Sequence, residues 1–303
     1  MTLEQKLGYA TGTKLLIVNA DDFGMCQAEN SAIKQLLEEG AVTSATLMVP
    51  CGWAKDAALW CAQHSESPFS IGVHLTFTSE WQGYKWGPVT RTGEVGSLVT
   101  EEGYFPADCA AFERQADPEH IRREIVSQIE MARSLGVEPT HLDNHMGSLY
   151  GLAGGRHFLD IVFEICREYR LPFRLPRSLP GIGRVPAEAA ELAEQAAAMA
   201  DRMGVVILDQ LIGLPFGKQP GETYETYKKS MIGALRGLRP GVSEIILHPA
   251  FANEELRAIH GEWEKRQWDF ELFRDPEVKE TLSQEGIGLI SWRELQGLQR
   301  QIQ

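Results

Sequence analysis

The sequence predicts an α/β protein built as a (β/α) barrel, distorted or incomplete, with parallel strands covered by helices. Three observations predict it. Apolar, strand-like runs alternate with helix-patterned segments along the whole chain, about eight times. At 303 residues that repeat suits a closed or nearly closed barrel, with an open doubly wound sheet as second choice. No linker-like, low-complexity or repeated segment interrupts the series, so the whole chain, 1–303, reads as a single domain.

The elements follow in order. LLIVNA (15–20) is a buried strand, and 27–39 is a helix carrying Ile33, Leu36 and Leu37 on one side and stopped at Gly40. TSATLMVP (43–50) is the second strand, with its helix at 54–64. FSIGVHLTF (69–77) is the third strand. The rhythm then breaks: 78–117 is rich in Gly, Trp, Tyr and Pro, and reads as a long loop insertion whose aromatic residues argue against simple disorder. A helix with Pro in its first turn occupies 118–135, and THLDNH (140–145) is a short strand. Helix 157–169 leads to strand PFRLP (172–176), and Ala-rich helix 187–203 to strand VVILDQLIG (205–213). Helix 222–238 precedes strand VSEIILHPA (242–250), and helix 275–285 precedes the closing strand IGLISW (287–292).

The bulk properties narrow the function. Formal net charge is −13, which argues against a nucleic-acid partner or an anionic membrane. No apolar run approaches the ~20 residues of a membrane span, and MTLEQKLGYATGTK lacks the pattern of a secretory signal. The five cysteines form no CxxC pair and read as thiols in a reducing cytoplasm. There is no GxSxG elbow, no Walker A motif and no full GxGxxG; GIGR at 181–184 lacks the third Gly. The Ala-rich ELAEQAAAMA fits an ordinary helix or a face for a second copy, so a homo-oligomer stays open.

In a barrel of this kind the chemistry sits at the carboxyl ends of the strands. Strand one ends in Asp21 and Asp22, strand three in His74, THLDNH in His141, Asp143 and His145, PFRLPR in Arg174 and Arg177, and VSEIILHPA in His248. The remaining histidines, His64, His120, His157 and His260, read as surface or capping residues. Positions i, i+2 and i+4 of a strand share a face, so His141, Asp143 and His145 are expected to point together. Two His and one Asp with an open position suit a divalent metal that activates water. Adjacent residues at a strand end can serve one water as ligand and base, which accounts for the pair Asp21–Asp22; His248 could protonate a leaving group from the other side.

These residues carry a resemblance. LLIVNADDFG, EEGAVTSATLMVP, IGVHLT, THLDNH, IILHPA and GIGLISWREL, in that order over 15–292, are similar to the YdjC/ChbG-like carbohydrate deacetylases. The resemblance implies a (β/α) barrel and metal-dependent hydrolysis of the N-acetyl group of an acetylated amino sugar, giving an amine and acetate. By position it implies Asp22, His74 and His145 as metal ligands, Asp21 as general base and His248 as general acid. The metal is expected to be zinc by ligand type, with magnesium also allowed by the resemblance. His141 and Asp143 are read as supporting residues or a structural pair, and Arg174 as orienting Asp21 or binding substrate. Trp81, Tyr84 and Trp86 would either stack on sugar rings or pack the long loop. GYKWGPVTRTG in that loop departs from the chitooligosaccharide-acting members, which leaves the sugar open. Two other readings stand beside this one: a metal-dependent hydrolase of a non-sugar amide or ester, and a non-catalytic metal or sugar binder.

Overall fold

The computed structural model describes residues 1–178 and 187–302, with backbone alone for 187–190; GIGR lies outside the described residues. The strands are β1 (Lys14–Phe23), β2 (Ser44–Leu47), β3 (Ser70–Leu75), β4 (Leu142–Asn144), β5 (Pro176–Ser178), β6 (Leu208–Ile212), β7 (Gly241–Leu247) and β8 (Gly288–Leu289). The helices of the first half are α1 (Leu3–Lys6), α2 (Gln27–Glu38), α3 (Ala54–Gln63), α4 (Cys109–Gln115), α5 (Pro118–Ser134) and α6 (Leu159–Tyr169). The second half adds α7 (Ala187–Met203), α8 (Tyr224–Arg236), α9 (Glu254–Ile259), α10 (Trp263–Leu272), α11 (Pro276–Gln284) and α12 (Trp292–Gln301).

Seven strands pair in parallel in the order β4-β3-β2-β1-β7-β6-β5. A parallel bridge from Leu142 to Phe173 ties β4 to the chain entering β5, so the sheet curls back on itself as a distorted (β/α) barrel. β8 is a two-residue strand that pairs with Leu15 and Leu16 at the foot of β1. The predicted barrel is therefore present, with a shorter last strand than IGLISW suggested. Ser291 accepts from the Arg293 backbone and forms a capping box with Glu294, so Trp292 opens α12 instead of closing a strand.

β1 shows how one strand sets both layers. Leu16, Val18 and Ala20 join the large core beneath the helices, whereas Leu15 and Ile17 pack with Trp292, Leu208 and Val242 in a second cluster. Side chains alternate along a strand, so the face carrying Leu15 and Ile17 continues to Asn19 and Asp21. Asn19 Nδ2 donates to Asp21 Oδ1 at 2.7 Å, which confirms that continuity. The barrel interior thus changes from apolar at the foot to charged at the carboxyl ends.

Five helices were not expected from the sequence: α1, α4, α9, α10 and α12. In α10 the buried side include Lys265, Arg266 and Asp269, so the apolar period that marks a helix is masked by charge. The 78–117 segment is a folded structure, not a bare loop: it holds a short 3-10 turn at Gly96–Leu98 as well as α4. Val89 and Thr90 backbone N–H groups donate to Glu124 of α5, tying it to the barrel. The cysteines are free thiols, four of them buried. Among the described residues no helix is long and apolar enough to cross a membrane.

Candidate active site

Asp21 and Asp22 both belong to β1, and strand alternation alone would send them to opposite faces. The β1–β2 register shifts between Ala20 and Phe23, and Asp22 has φ 64°, in the left-handed region. This irregularity turns Asp22 to the same rim as Asp21. A non-glycine residue in that conformation costs about 1 kcal/mol or more, a strain found at functional positions.

Three donor atoms then converge. Asp22 Oδ1 lies 3.5 Å from His74 Nε2 and 3.4 Å from His145 Nδ1, and all three residues are buried. Asp22 Oδ1 has no hydrogen-bond partner, which leaves a buried carboxylate oxygen for another ligand. Asp22 Oδ2 is taken by the Arg266 guanidinium at 2.8 Å, and Arg266 also pairs with Glu29. Burial alone would raise the Asp22 pKa, but Arg266 and the two histidines hold it well below the usual carboxylate range.

Asp21 lies beside this trio, its Oδ2 3.8 Å from His74 Nε2. Arg174 grips it through two 2.7 Å bonds, one to each oxygen. The same guanidinium reaches Asp143 at 2.8 Å and Glu244 at 2.6 Å. Burial opposes the Asp21 charge, yet Arg174 keeps it ionised, with a pKa below the usual range. Asp21, Asp143 and Glu244 thus surround the Arg174 guanidinium, which is buried. Arg177 instead pairs with Asp201 at a partly exposed position.

His141, Asp143 and His145 do not form one ligand group. β4 ends at Asn144, and His145 begins a short 3-10 turn, so it reaches the rim by leaving the strand. Asp143 accepts from His74 Nδ1 at 2.7 Å. His141 lies lower, stacked on Trp292 with ring centroids 4.4 Å apart, and its Nδ1 is 2.9 Å from Thr140 Oγ1. His141 makes no hydrogen bond or ion pair with Asp22, His74 or His145, which favours the structural reading for it. Burial counts against charge on His74 and His145, but Asp143 and Asp21 lift His74 to about 10, and Glu80 and Asp22 lift His145 to about 9.

His248 follows the end of β7. Its backbone N–H donates to Asp269 at 2.8 Å, and its ring meets Phe216 edge-on at 4.9 Å. Burial lowers its pKa, while the charges of Asp22 and Asp21 act in the opposite sense. A small cavity of about 110 Å³ is lined by His248, Phe216, Tyr227, Arg266 and Asp269 among others.

The loop aromatics pack inward. Trp86 is 3% exposed, donates from Nε1 to Thr78 O, and meets the His145 ring edge-on at 6.1 Å. It supports the site wall and offers no open face for a sugar. Tyr84 donates to Met25 O, and Trp81 stacks on His260 at 4.2 Å. His260, expected as a surface or capping residue, is the C-cap of α9 and is buried. Sequence reasoning also passed over Asn19, Glu29, Glu80, Glu244 and Arg266. Asn19 and Glu244 had a signal, since they lie two residues before Asp21 and four before His248 on the same faces. Arg266 had none, because its helix was not legible.

A parallel barrel with a buried carboxylate–histidine cluster at its strand ends defines a class of protein before any relative is consulted. The family described as YdjC-like protein matches residues 15–284, and this chain belongs to that family. A Thermus thermophilus relative named carbohydrate deacetylase is 32% identical, over 97% of each chain. A Proteus mirabilis relative named chitooligosaccharide deacetylase is 27% identical, over 93% of this chain and 98% of its own. A solved structure from Enterococcus faecalis, described as a candidate cellobiose-phosphate cleavage protein, superposes with a TM-score of 0.74. It is 28% identical and covers 93% of this chain and 99% of its own.

Proposed function

We propose that this protein is a metal-dependent hydrolase that removes the N-acetyl group from an acetylated amino sugar or oligosaccharide, releasing acetate. The observation that carries the reading is the convergence of Asp22 Oδ1, His74 Nε2 and His145 Nδ1, with Asp22 Oδ1 buried and without a hydrogen-bond partner. The deacetylase names of relatives matched over nearly their whole length support the sugar substrate. We read the chain as one barrel domain working in the cytoplasm.

The donor set fits a divalent cation. Asp21, Asp22 and Asp143 share the buried cluster with the guanidinium groups of Arg174 and Arg266, while burial pushes the Glu29 and Glu244 carboxyls toward their neutral form, so the aspartates are the groups that a cation would meet. A divalent ion held by Asp22, His74 and His145 would supply positive charge and Lewis acidity toward the acetamide carbonyl and its attacking water. Two imidazoles and one carboxylate favour zinc; magnesium, which prefers oxygen ligands, is second.

The chain's own groups do the proton transfers. Asp21, kept ionised and aimed by Arg174 and Asn19, takes a proton from the attacking water. Its neighbour Asp22 stays committed to the His74–His145 side. His248, just past the end of β7, the strand that pairs with β1, gives a proton to the departing amine. Burial holds the His248 pKa below its ordinary value, so the imidazole must first take that proton from solvent, with the Asp22 and Asp21 charges only partly offsetting the burial.

Two substitutions test this division. Asp21→Asn should keep metal affinity and lower turnover of an N-acetylated chitooligosaccharide at least about 100-fold, the lower range of general-base effects. Asp22→Asn should lose the metal. Equal metal loss in both variants would sink the assignment, as would full turnover in Asp21→Asn.

A further inference from the structure

We infer that Glu80 is a positioning residue that selects the coordinating nitrogen of His145 and so couples the long loop to the metal site. The inference rests on the reading of Asp22, His74 and His145 as metal ligands.

The two histidines present opposite ring nitrogens. His74 is fixed by Asp143, which accepts from Nδ1 at 2.7 Å and leaves Nε2 toward Asp22. His145 is reversed: Nε2 meets both Glu80 oxygens at 3.2 and 3.1 Å, and Nδ1 faces Asp22. A carboxylate that accepts one ring N–H fixes the tautomer and leaves the lone pair on the other nitrogen. Without it, the His145 ring has two nitrogens and no group to choose between them. His145 needs such help more than His74 does. It sits outside the strand, and the next two residues, Met146 and Gly147, have φ of 56° and 69°.

The two supporting carboxylates come from different kinds of element. Asp143 is on β4, directly opposite His74 in the β3–β4 register. Glu80 is on the segment that leaves β3, and its position depends on how that segment folds. Ser79 N–H donates to Pro106 O at 2.8 Å, and Lys85 Nζ donates to Ser79 O at 2.6 Å. Trp86 donates to Ser79 Oγ and to Thr78 O, at 3.2 and 2.7 Å. The next residue, Trp81, is clamped on His260. The fold of the loop therefore sets where the Glu80 carboxylate lies. Binding linkage is reciprocal, so a cation that uses His145 must in turn favour the folded loop.

Zinc affinity, measured by competition with a chromophoric chelator, tests this on the parent, Glu80→Gln and Glu101→Gln, the last an exposed charge on the same loop. Glu80→Gln should bind zinc about 10–100-fold more weakly, the usual effect of losing such a partner. Glu101→Gln should match the parent. Hydrogen exchange over 78–86 should slow when zinc binds the parent, and slow less in Glu80→Gln. Metal-free melting temperatures of parent and Glu80→Gln, compared directly, show whether the variant folds. Equal affinity in Glu80→Gln and parent overturns the inference, as does equal weakening in Glu101→Gln. A parent that binds neither zinc nor magnesium removes the metal site itself, and the inference with it.

Discussion

At the scale of single residues, the site is a problem of charge held out of water. His74 and His145 are pushed to about 10 and about 9, so both rings carry protons at neutral pH when no cation is bound. Those two protons supply the positive charge that a divalent ion would bring. Metal uptake through His74 Nε2 and His145 Nδ1 must expel them. Binding is therefore predicted to release close to two protons at neutral pH, and affinity should rise with pH. Calorimetry in two buffers of different ionisation enthalpy counts the protons; no release would contradict the ligand assignment. The sign for stability is opposite. Folded-state pKa values above the ordinary ~6.5 stabilise the metal-free protein below that value. That contribution is lost as pH rises through about 9 and about 10, so chelated protein should melt earlier in alkaline buffer.

At the scale of elements, the strands deliver the site and the packing beneath holds it up. Gly72 in β3 is where His141 tucks under the rim: a Cβ there would lie 2.5 Å from His141 Cε1. The His141 ring is backed by Trp292, and both are fully buried, so neither can give way easily. Gly72→Ala should cost about 1–3 kcal/mol by overpacking. Denaturant unfolding checks it, and an unchanged midpoint would refute the account of this layer. The same elements explain what could be read from sequence. β1, β2, β3 and β7 were legible because strands buried on both faces are near-continuous apolar runs, and the reactive residues follow them directly. The turn of Asp22 was not legible, since a register irregularity leaves no compositional mark. His145 was placed on a strand that ends one residue earlier. His141 was grouped with Asp143 by period, which was right about the face and silent about depth. α10 was missed because its buried side is charged, and Arg266 went with it. The long segment was recognised as an insertion, but its internal helix and the inward turn of Glu80, Trp81 and Trp86 depend on contacts distant in sequence.

At the scale of the whole molecule, the barrel runs from an apolar foot around Leu15, Ile17 and Trp292 to a charged rim around Asp21, Asp22 and Arg174. Helices cover the outside, and the long segment meets the end of α9 where Trp81 stacks on His260. The overall net charge of −13 is of the wrong sign for a polyanionic partner and compatible with a neutral sugar. The central claim is that this site hydrolyses the N-acetyl group of an amino sugar with a bound metal. The most direct test is acetate release from a panel of N-acetylated sugars and oligomers, with simple acetamides and acetate esters alongside. The protein would be stripped by chelator, then supplied with zinc or magnesium. The account predicts acetate from at least one N-acetylated sugar, none after stripping, and recovery when the metal returns. No release from any sugar by the metal-loaded protein, or release that survives chelation undiminished, would contradict it.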